Sequence, residues 1–361
     1  MNLNSQKRIL VVDDSALMRR VLCDIINADG RFVVEDTAMN GQIALDYVTK
    51  KKYDAIVLDV NMPVMNGIEF LKELQKRRIP AKVIMASTDT TEGAKVTMDC
   101  LDLGALDFVH KPNQAMDCRN AGFVKALTDI LAVAANGKEP KFEKPFDLNS
   151  VKRDKKLAEI VSRSVTNVSG KKIVAIASST GGPKALQSVI PRLPKNLNAP
   201  VVLVQHMPVG FTKSLADRLD SLSDVAVSEA AEGDELVKGH VYIAKGGAHM
   251  NIVSKAGKSV IHFSDEPTRE GVKPCANYMY ESLANSPYDQ VVCVVMTGMG
   301  QDGTEGVTNL KKNKKVHVIA QQEASCAVYG MPRAVVNAGL ADQVVDLNTI
   351  AQEIIMNVGT N

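Results

Sequence analysis

Three residue types that acyl transfer requires stand in one half of this 361-residue sequence. Ser179 falls in Ala175-Ile-Ala-Ser-Ser-Thr-Gly-Gly-Pro183, and His206 in Val201-Val-Leu-Val-Gln-His-Met-Pro208. Asp302 falls in Val294-Val-Met-Thr-Gly-Met-Gly-Gln-Asp-Gly303. Each apolar run gives way to small or polar residues, so each side chain should stand just past a strand. A serine hydroxyl is a weak nucleophile until a base takes its proton, and an imidazole base needs a carboxylate to fix its tautomer. Singly, each residue has a plainer reading: a helix-capping serine, a structural histidine, a capping aspartate. Together on one sheet edge they form a nucleophile, a base and an orienting carboxylate. The order Ser, His, Asp differs from that of the α/β-hydrolases, and the Ser179 turn is not their Gly-x-Ser-x-Gly elbow.

A second set occupies the first half. Asp13-Asp14 follows the run Ile9–Val12, Asp59 follows Ala55–Leu58, Ser87-Thr88 follows Val83–Ala86, and Lys111-Pro112 follows Phe108–Val109. Converging carboxylates repel unless a hard cation binds them, and Mg²⁺ takes such oxygen ligands. A carboxylate held there can attack phosphorus while a lysine and a hydroxyl stabilise the transferred oxygens. A competing motif lies in the second half. Gly298-Met-Gly-Gln-Asp-Gly303, with Glu323 twenty residues past the last glycine, matches the spacing of a dinucleotide-binding fingerprint. It sits late in the chain, and it does not explain the serine and histidine at neighbouring strand ends.

The elements that must position these residues alternate short apolar runs with helical stretches, the pattern of parallel α/β sheets. The first body predicts five strands and five helices, a doubly wound flavodoxin-like domain. The second predicts strands at Ile173–Ala177, Val201–Gln205, Val292–Met296 and Val316–Ala320. Segments around Val241–Ile243, Met250–Val253 and Val260–Phe263 read as hairpin-like, with one antiparallel stretch. Between the bodies, Lys138–Lys156 carries seven basic and four acidic residues and two prolines, a linker composition. The expected organisation is a first domain over residues 1–135, a linker over 136–167 and a second domain over 168–361.

Composition narrows the classes further. With 43 basic and 41 acidic residues, the chain has no broad pull toward nucleic acid or anionic lipid. The cluster Lys311–Lys315 reads as a solvated helix end. Apolar runs such as Val291–Met296 fall far short of a membrane span, so no direct membrane insertion is expected. The polar start and the early Asp13-Asp14 leave no signal-peptide core. The six cysteines form no Cys-x-x-Cys pair and read as reduced, mostly core-filling thiols of a cytoplasmic protein.

The runs ILVVDDSALMRR, VLDVNMPVMNG, MAS and DFVHKP resemble the receiver domain of two-component response regulators, from residue 8 to about 130. The resemblance implies phosphorylation at Asp59, with Mg²⁺ held by Asp13, Asp14, Asp59 and the backbone carbonyl of Asn61. It implies conformational signalling through Ser87, Phe108 and Lys111, and makes Lys111–Pro112 a candidate cis bond. Related esterase regulators usually carry an acidic residue where Asn61 stands.

SSTGGP, QHMPVGFTKSLADRL, VYIAKGGAHM, TGMGQDGTEGV and VIAQQEASCAVYGMPRA resemble the catalytic domain of the chemotaxis protein-glutamate methylesterase/glutaminase, over about residues 170–355. That resemblance implies Ser179 as nucleophile, His206 as base and Asp302 as its carboxylate. Backbone N–H groups at Met299 and Thr180 are the implied oxyanion contacts. It also implies demethylation and deamidation of methyl-accepting chemotaxis receptors, with a chemotaxis histidine kinase as phosphodonor. The unphosphorylated receiver would restrain the esterase. Two places depart from the family. Lys273-Pro-Cys-Ala-Asn277 stands where Arg-Pro-Ser-Val-Asp is common, and Lys245 stands where proline is common. Both departures are expected to leave the three catalytic positions intact and to alter groove or receptor preference. The first is also the one feature favouring a different class, a receptor-binding module with a vestigial triad.

Overall fold

Apolar periodicity builds both sheets of the chain, described here from a computed structural model. The described residues are 6–87, 91–112, 114–137 and 170–361, without the side chains of 91 and 92. The chain divides into two compact units, Met1–Phe146 and Asp147–Asn361. From residue 138 onward the expected linker lies outside the described residues, as does Thr88.

The first unit alternates β1 (Lys7–Val12), α1 (Ala16–Ala28), β2 (Phe32–Ala38), α2 (Gly41–Val48), β3 (Ala55–Asp59), α3 (Gly67–Arg77), β4 (Val83–Ser87), α4 (Thr91–Asp102), β5 (Asp107–His110) and α5 (Ala121–Asn136). All strand pairs are parallel, in the order β2-β1-β3-β4-β5, which is the flavodoxin-like order. Helix α1 buries Met18, Val21, Leu22, Ile25 and Ile26, the three-and-four spacing of one helical face. Ser15 caps it by accepting the Met18 N–H. Asn66 and Glu69 form a reciprocal capping box on α3.

The second unit contains β6 (Lys172–Ser178), α6 (Gly182–Val189), β7 (Val201–Gln205), α7 (Phe211–Leu222), β8 (Ala226–Glu229), β9 (His240–Ile243), β10 (His249–Lys255), β11 (Lys258–Ser264) and α8 (Ala276–Ser282). It continues with β12 (Gln290–Val295), α9 (Thr304–Lys311), β13 (Lys315–Gln321), α10 (Met331–Asn337), β14 (Gln343–Val345) and α11 (Ile350–Val358). Seven strands form one parallel sheet in the order β14-β13-β12-β6-β7-β9-β8. Strands β10 and β11 pair antiparallel as a separate hairpin.

Two details differ from the sequence reading. Val241–Ile243 is no hairpin arm but joins the parallel sheet between β7 and β8. Strands β8 and β14 are additional; both are short, only partly buried edge strands, and so lack a strong apolar signal. Among the described residues no helix is long and apolar enough to cross a membrane.

Candidate active site and candidate phosphoacceptor site

The parallel sheet of the second unit decides where its polar loops meet. From β6 the chain steps to β7 on one side, and it later returns with β12 on the other. Such a reversal opens a crevice at the carboxyl ends of the strands. Ser179 follows β6, His206 follows β7, and the Asp302 loop follows β12. Main-chain hydrogen bonds fix these ends in register. The Met296 N–H donates to Ala177 O at 2.9 Å, Ser179 N–H to Thr297 O at 3.0 Å, and His206 N–H to Ser178 O at 3.1 Å.

Gln205, the last residue of β7, is only 2% exposed and ties two of these loops together. Its Oε1 accepts from Ser178 Oγ at 2.7 Å. Its Nε2 donates to Ser179 O at 3.0 Å and to His206 O at 3.2 Å. Gly182 leaves room for that amide, since a Cβ there would come within 2.0 Å of Gln205 Oε1. Gly298 likewise admits the serine loop; its Cβ would stand 2.7 Å from Ser179 Cβ. Gln321 secures the third loop by accepting the Thr297 N–H at 2.8 Å and donating to Ser325 O at 2.7 Å.

His206 Nε2 and Asp302 Oδ2 lie 2.7 Å apart. An ionised carboxylate only accepts, so Nε2 carries the proton and Nδ1 is left with a free lone pair. Asp302 is almost fully buried, at 2% exposure. Burial pushes its carboxyl upward, but the hydrogen bond and charge of His206 and the Ala276 N–H outweigh that and hold it below the ordinary range. The N–H groups of Ala276 and Asn277 donate to it at 2.6 and 2.9 Å, and the Cys275 thiol at 3.1 Å. Thus the departing stretch Lys273–Asn277 supplies three of the aspartate's four donors. That stretch is therefore part of the wall around Asp302. The peptide bond Lys273–Pro274 is cis, whereas Lys111–Pro112 is not, contrary to the resemblance-based expectation.

Asn277 also answers the dinucleotide reading. Its Oδ1 accepts the N–H groups of Gly303 and Gly306, at 3.0 and 2.7 Å. The helix start that a pyrophosphate would need is therefore already capped from α8. The N–H groups of Thr180 and Met299 make no hydrogen bond among the described residues. Ser179 and Thr180 are half-buried, and Met299 is 38% exposed at the rim.

In the first unit, the crevice between β1 and β3 gathers Asp13, Asp14 and Asp59, with one carboxylate oxygen from each within 4.8 Å of the others. Lys111 reaches across, its Nζ 2.9 Å from Asp13 and 2.7 Å from Asp59. Burial leads the forces on Asp59, and with the charge of Asp13 it pushes that carboxyl up despite Lys111. Burial alone would lower Lys111; the charges of Asp59 and Asp13 raise it instead. Three carboxylates facing one ammonium are short of positive charge, which is the donor set a hard divalent cation takes. Ser87 is buried and its Oγ accepts from Thr97 Oγ1 of α4 at 2.8 Å, while its carbonyl accepts the Lys111 N–H. Phe108 is half-buried on β5, and Asn61 is exposed two residues beyond Asp59.

A parallel α/β unit with an acidic cluster, joined to a second whose strand ends gather serine, histidine and aspartate, defines a receiver-coupled hydrolase. The response regulator receiver domain family matches residues 9–121, and the CheB methylesterase family matches residues 174–354. The protein-glutamate methylesterase/protein-glutamine glutaminase of Bacillus licheniformis is 42% identical over 96% of this chain and 97% of its own length. That of Bacillus subtilis is 42% identical over the same shares of each chain. The crystal structure of the Thermotoga maritima CheB methylesterase catalytic domain is 44% identical, with a TM-score of 0.50. It covers 52% of this chain and 98% of its own. This chain belongs to the CheB family of protein-glutamate methylesterase/protein-glutamine glutaminases.

Gln205, Gln321, Cys275 and Asn277 were missed as parts of the site by the sequence reading. Gln205 had a local signal, since an amide beside His206 closes an otherwise apolar strand. The others act across 24 or more residues of sequence, on Asp302 and on the Thr297 N–H.

Proposed function

We propose that this methylesterase/glutaminase hydrolyses glutamate methyl esters, and deamidates particular glutamines, on membrane-bound methyl-accepting chemotaxis receptors through Ser179, His206 and Asp302. The observation carrying this reading is the contact between His206 Nε2 and Asp302 at the end of β7, beside the serine loop. Ser179 Oγ attacks the ester carbonyl as His206 Nδ1 takes its proton. The unpartnered N–H groups of Thr180 and Met299 receive the oxyanion. The tetrahedral intermediate collapses, and the leaving methoxide takes the proton from His206 and departs as methanol. Water then attacks the acyl-enzyme, giving its proton to His206 and releasing glutamate and Ser179. A glutamine side chain follows the same path with ammonia as leaving group. Asp302 stabilises the imidazolium in both halves.

The receiver is the regulatory part of the proposal, over residues 1–135, with the linker at 136–167 and the catalytic domain at 168–361. Asp59 would take the phosphoryl group from the phosphohistidine of a chemotaxis kinase. Asp13, Asp14, Asp59 and the Asn61 carbonyl would hold Mg²⁺, which when bound neutralises the transferring oxygens. Lys111 stands against Asp59 to meet the phosphoryl charge, and Ser87 and Phe108 relay the change. The proposed receptor substrate and kinase phosphodonor support a cytoplasmic location.

The test is methanol release from methyl-labelled chemoreceptor membranes, with and without acetyl phosphate and Mg²⁺. Serine-dependent release that rises with the phosphodonor, and fails to rise in Asp59→Asn, is expected. Release undiminished in Ser179→Ala would overturn the mechanism. The binding-module reading drew on Lys273–Asn277, but Cys275, Ala276 and Asn277 all donate to Asp302, which removes its support.

A further inference from the structure

We propose that the Cys275 thiol is a positioning residue for the hydrolysis, holding Asp302 by Oδ1 while Oδ2 serves His206. The inference rests on the triad reading above and deepens it.

A buried carboxylate must have its lone pairs met, or its charge is costly. The donors around Asp302 divide two and two. Oδ2 takes His206 Nε2 at 2.7 Å and Ala276 N–H at 2.6 Å. Oδ1 takes Asn277 N–H at 2.9 Å and Cys275 Sγ at 3.1 Å. Cys275 has no solvent exposure, so no water can replace its thiol readily. Burial first and the Asp302 charge second push that thiol up to about 12, which keeps it protonated and donating at neutral pH. The main-chain donors come from the start of α8, so they fix the carboxylate from one side only. Among the described residues the thiol is the one side-chain donor on Oδ1, and with it removed that oxygen keeps only the Asn277 N–H, so the carboxylate is held less firmly.

The donor also sets how much charge Asp302 presents to His206. A thiol is a weak donor and leaves more negative charge on the carboxylate than a hydroxyl would. The other titratable groups that feel Asp302 are His249, Tyr280 and Glu281, and none of them changes in the variants below.

The experiment measures kcat, KM and the pH profile of methanol release from methyl-labelled chemoreceptor membranes, with full-length protein, acetyl phosphate and Mg²⁺. In Cys275→Ala, kcat falls about tenfold with KM within about twofold, the scale of one hydrogen bond to a charged group. The acidic limb of kcat/KM moves to higher pH, because the less-satisfied carboxylate stabilises the imidazolium more strongly. Cys275→Ser restores kcat and moves the limb to lower pH, because the hydroxyl donates more strongly. Opposite limb shifts in the two variants are not expected of a residue that only fills space. An unchanged limb and unchanged kcat in Cys275→Ala overturn the proposal. Should Cys275→Ala fail to fold, the limb of Cys275→Ser decides, and an unmoved limb overturns it. Asp302→Ala separates the two levels. If it retains full activity the triad reading fails, and if it is inactive while both cysteine variants match the parent, only the Cys275 inference fails.

Discussion

At the residue scale, the site depends on amides as much as on the reacting groups. Gln205 makes three hydrogen bonds from one buried side chain, to Ser178 Oγ and to the carbonyls of Ser179 and His206. Gln205→Leu keeps the volume, leaves Ser178 Oγ and the His206 carbonyl without these partners, and leaves the Ser179 carbonyl with the Gly182 N–H alone. We expect kcat for methanol release to fall at least tenfold with KM little changed, and a stability loss of about 2–4 kcal/mol in denaturant unfolding. A parent-like kcat in the folded variant would show that the loops hold themselves. Ser179, His206 and Asp302 could be singled out as candidates in the sequence because few residue types do the proposed chemistry and each followed an apolar run. Gln205 was not singled out, because its meaning lies in the Ser178 hydroxyl and the Ser179 carbonyl, which only the β6–β7 register brings to it.

At the scale of elements, α8 and α9 are joined through Asn277, whose Oδ1 accepts two N–H groups from the start of α9. Asn277→Ala leaves both donors buried without a partner. A loss of about 2 kcal/mol is expected in the unfolding transition of the second unit, together with weakened esterase activity as the Asp302 loop loosens. Unchanged unfolding would mean that water satisfies those groups. The hairpin β10–β11 offers the opposite sign. Its two connecting residues, Ala256 and Gly257, have φ of 50° and 79°. This is the backbone of a turn that favours Asn-Gly, and alanine is strained there. Ala256→Asn should raise stability by about 0.5–1 kcal/mol without touching activity, and calorimetry would show it. The central strands were legible from their unbroken apolar runs. The edge strands β8 and β14 were not, since half-exposed strands of three or four residues carry no such run.

At the scale of the whole molecule, each unit puts its polar cluster where its strand order reverses, β1/β3 in one and β6/β12 in the other. The two-body division could be read from the charge-rich stretch Lys138–Lys156 and from two complete alternations of strand and helix. The receiver's stability should respond to pH and to cations together. Burial, ahead of Lys111, raises the Asp59 carboxyl above its ordinary value. The folded receiver therefore keeps that proton to higher pH than the unfolded chain does. Its stability falls as pH rises from the unfolded value of about 4 through the folded one, and the penalty persists at neutral pH. Mg²⁺ held there, as proposed, would offset that penalty. It should raise the unfolding temperature of the first unit in a concentration-dependent way at pH 7, and much less at pH 4. Scanning calorimetry of the parent and of Asp13→Asn tests this; equal responses in both would place the cation elsewhere.

The register of β6, β7 and β12 has one more consequence. The amide protons of Ser179 and His206 are locked into bonds that continue the central strands. Those of Thr180 and Met299 are bound to nothing among the described residues. Within a few residues, then, the slowest and the fastest deuterium uptake of this loop cluster should stand side by side. The proposed nucleophile would be anchored as durably as the sheet itself, while the proposed oxyanion donors remain open to whatever arrives.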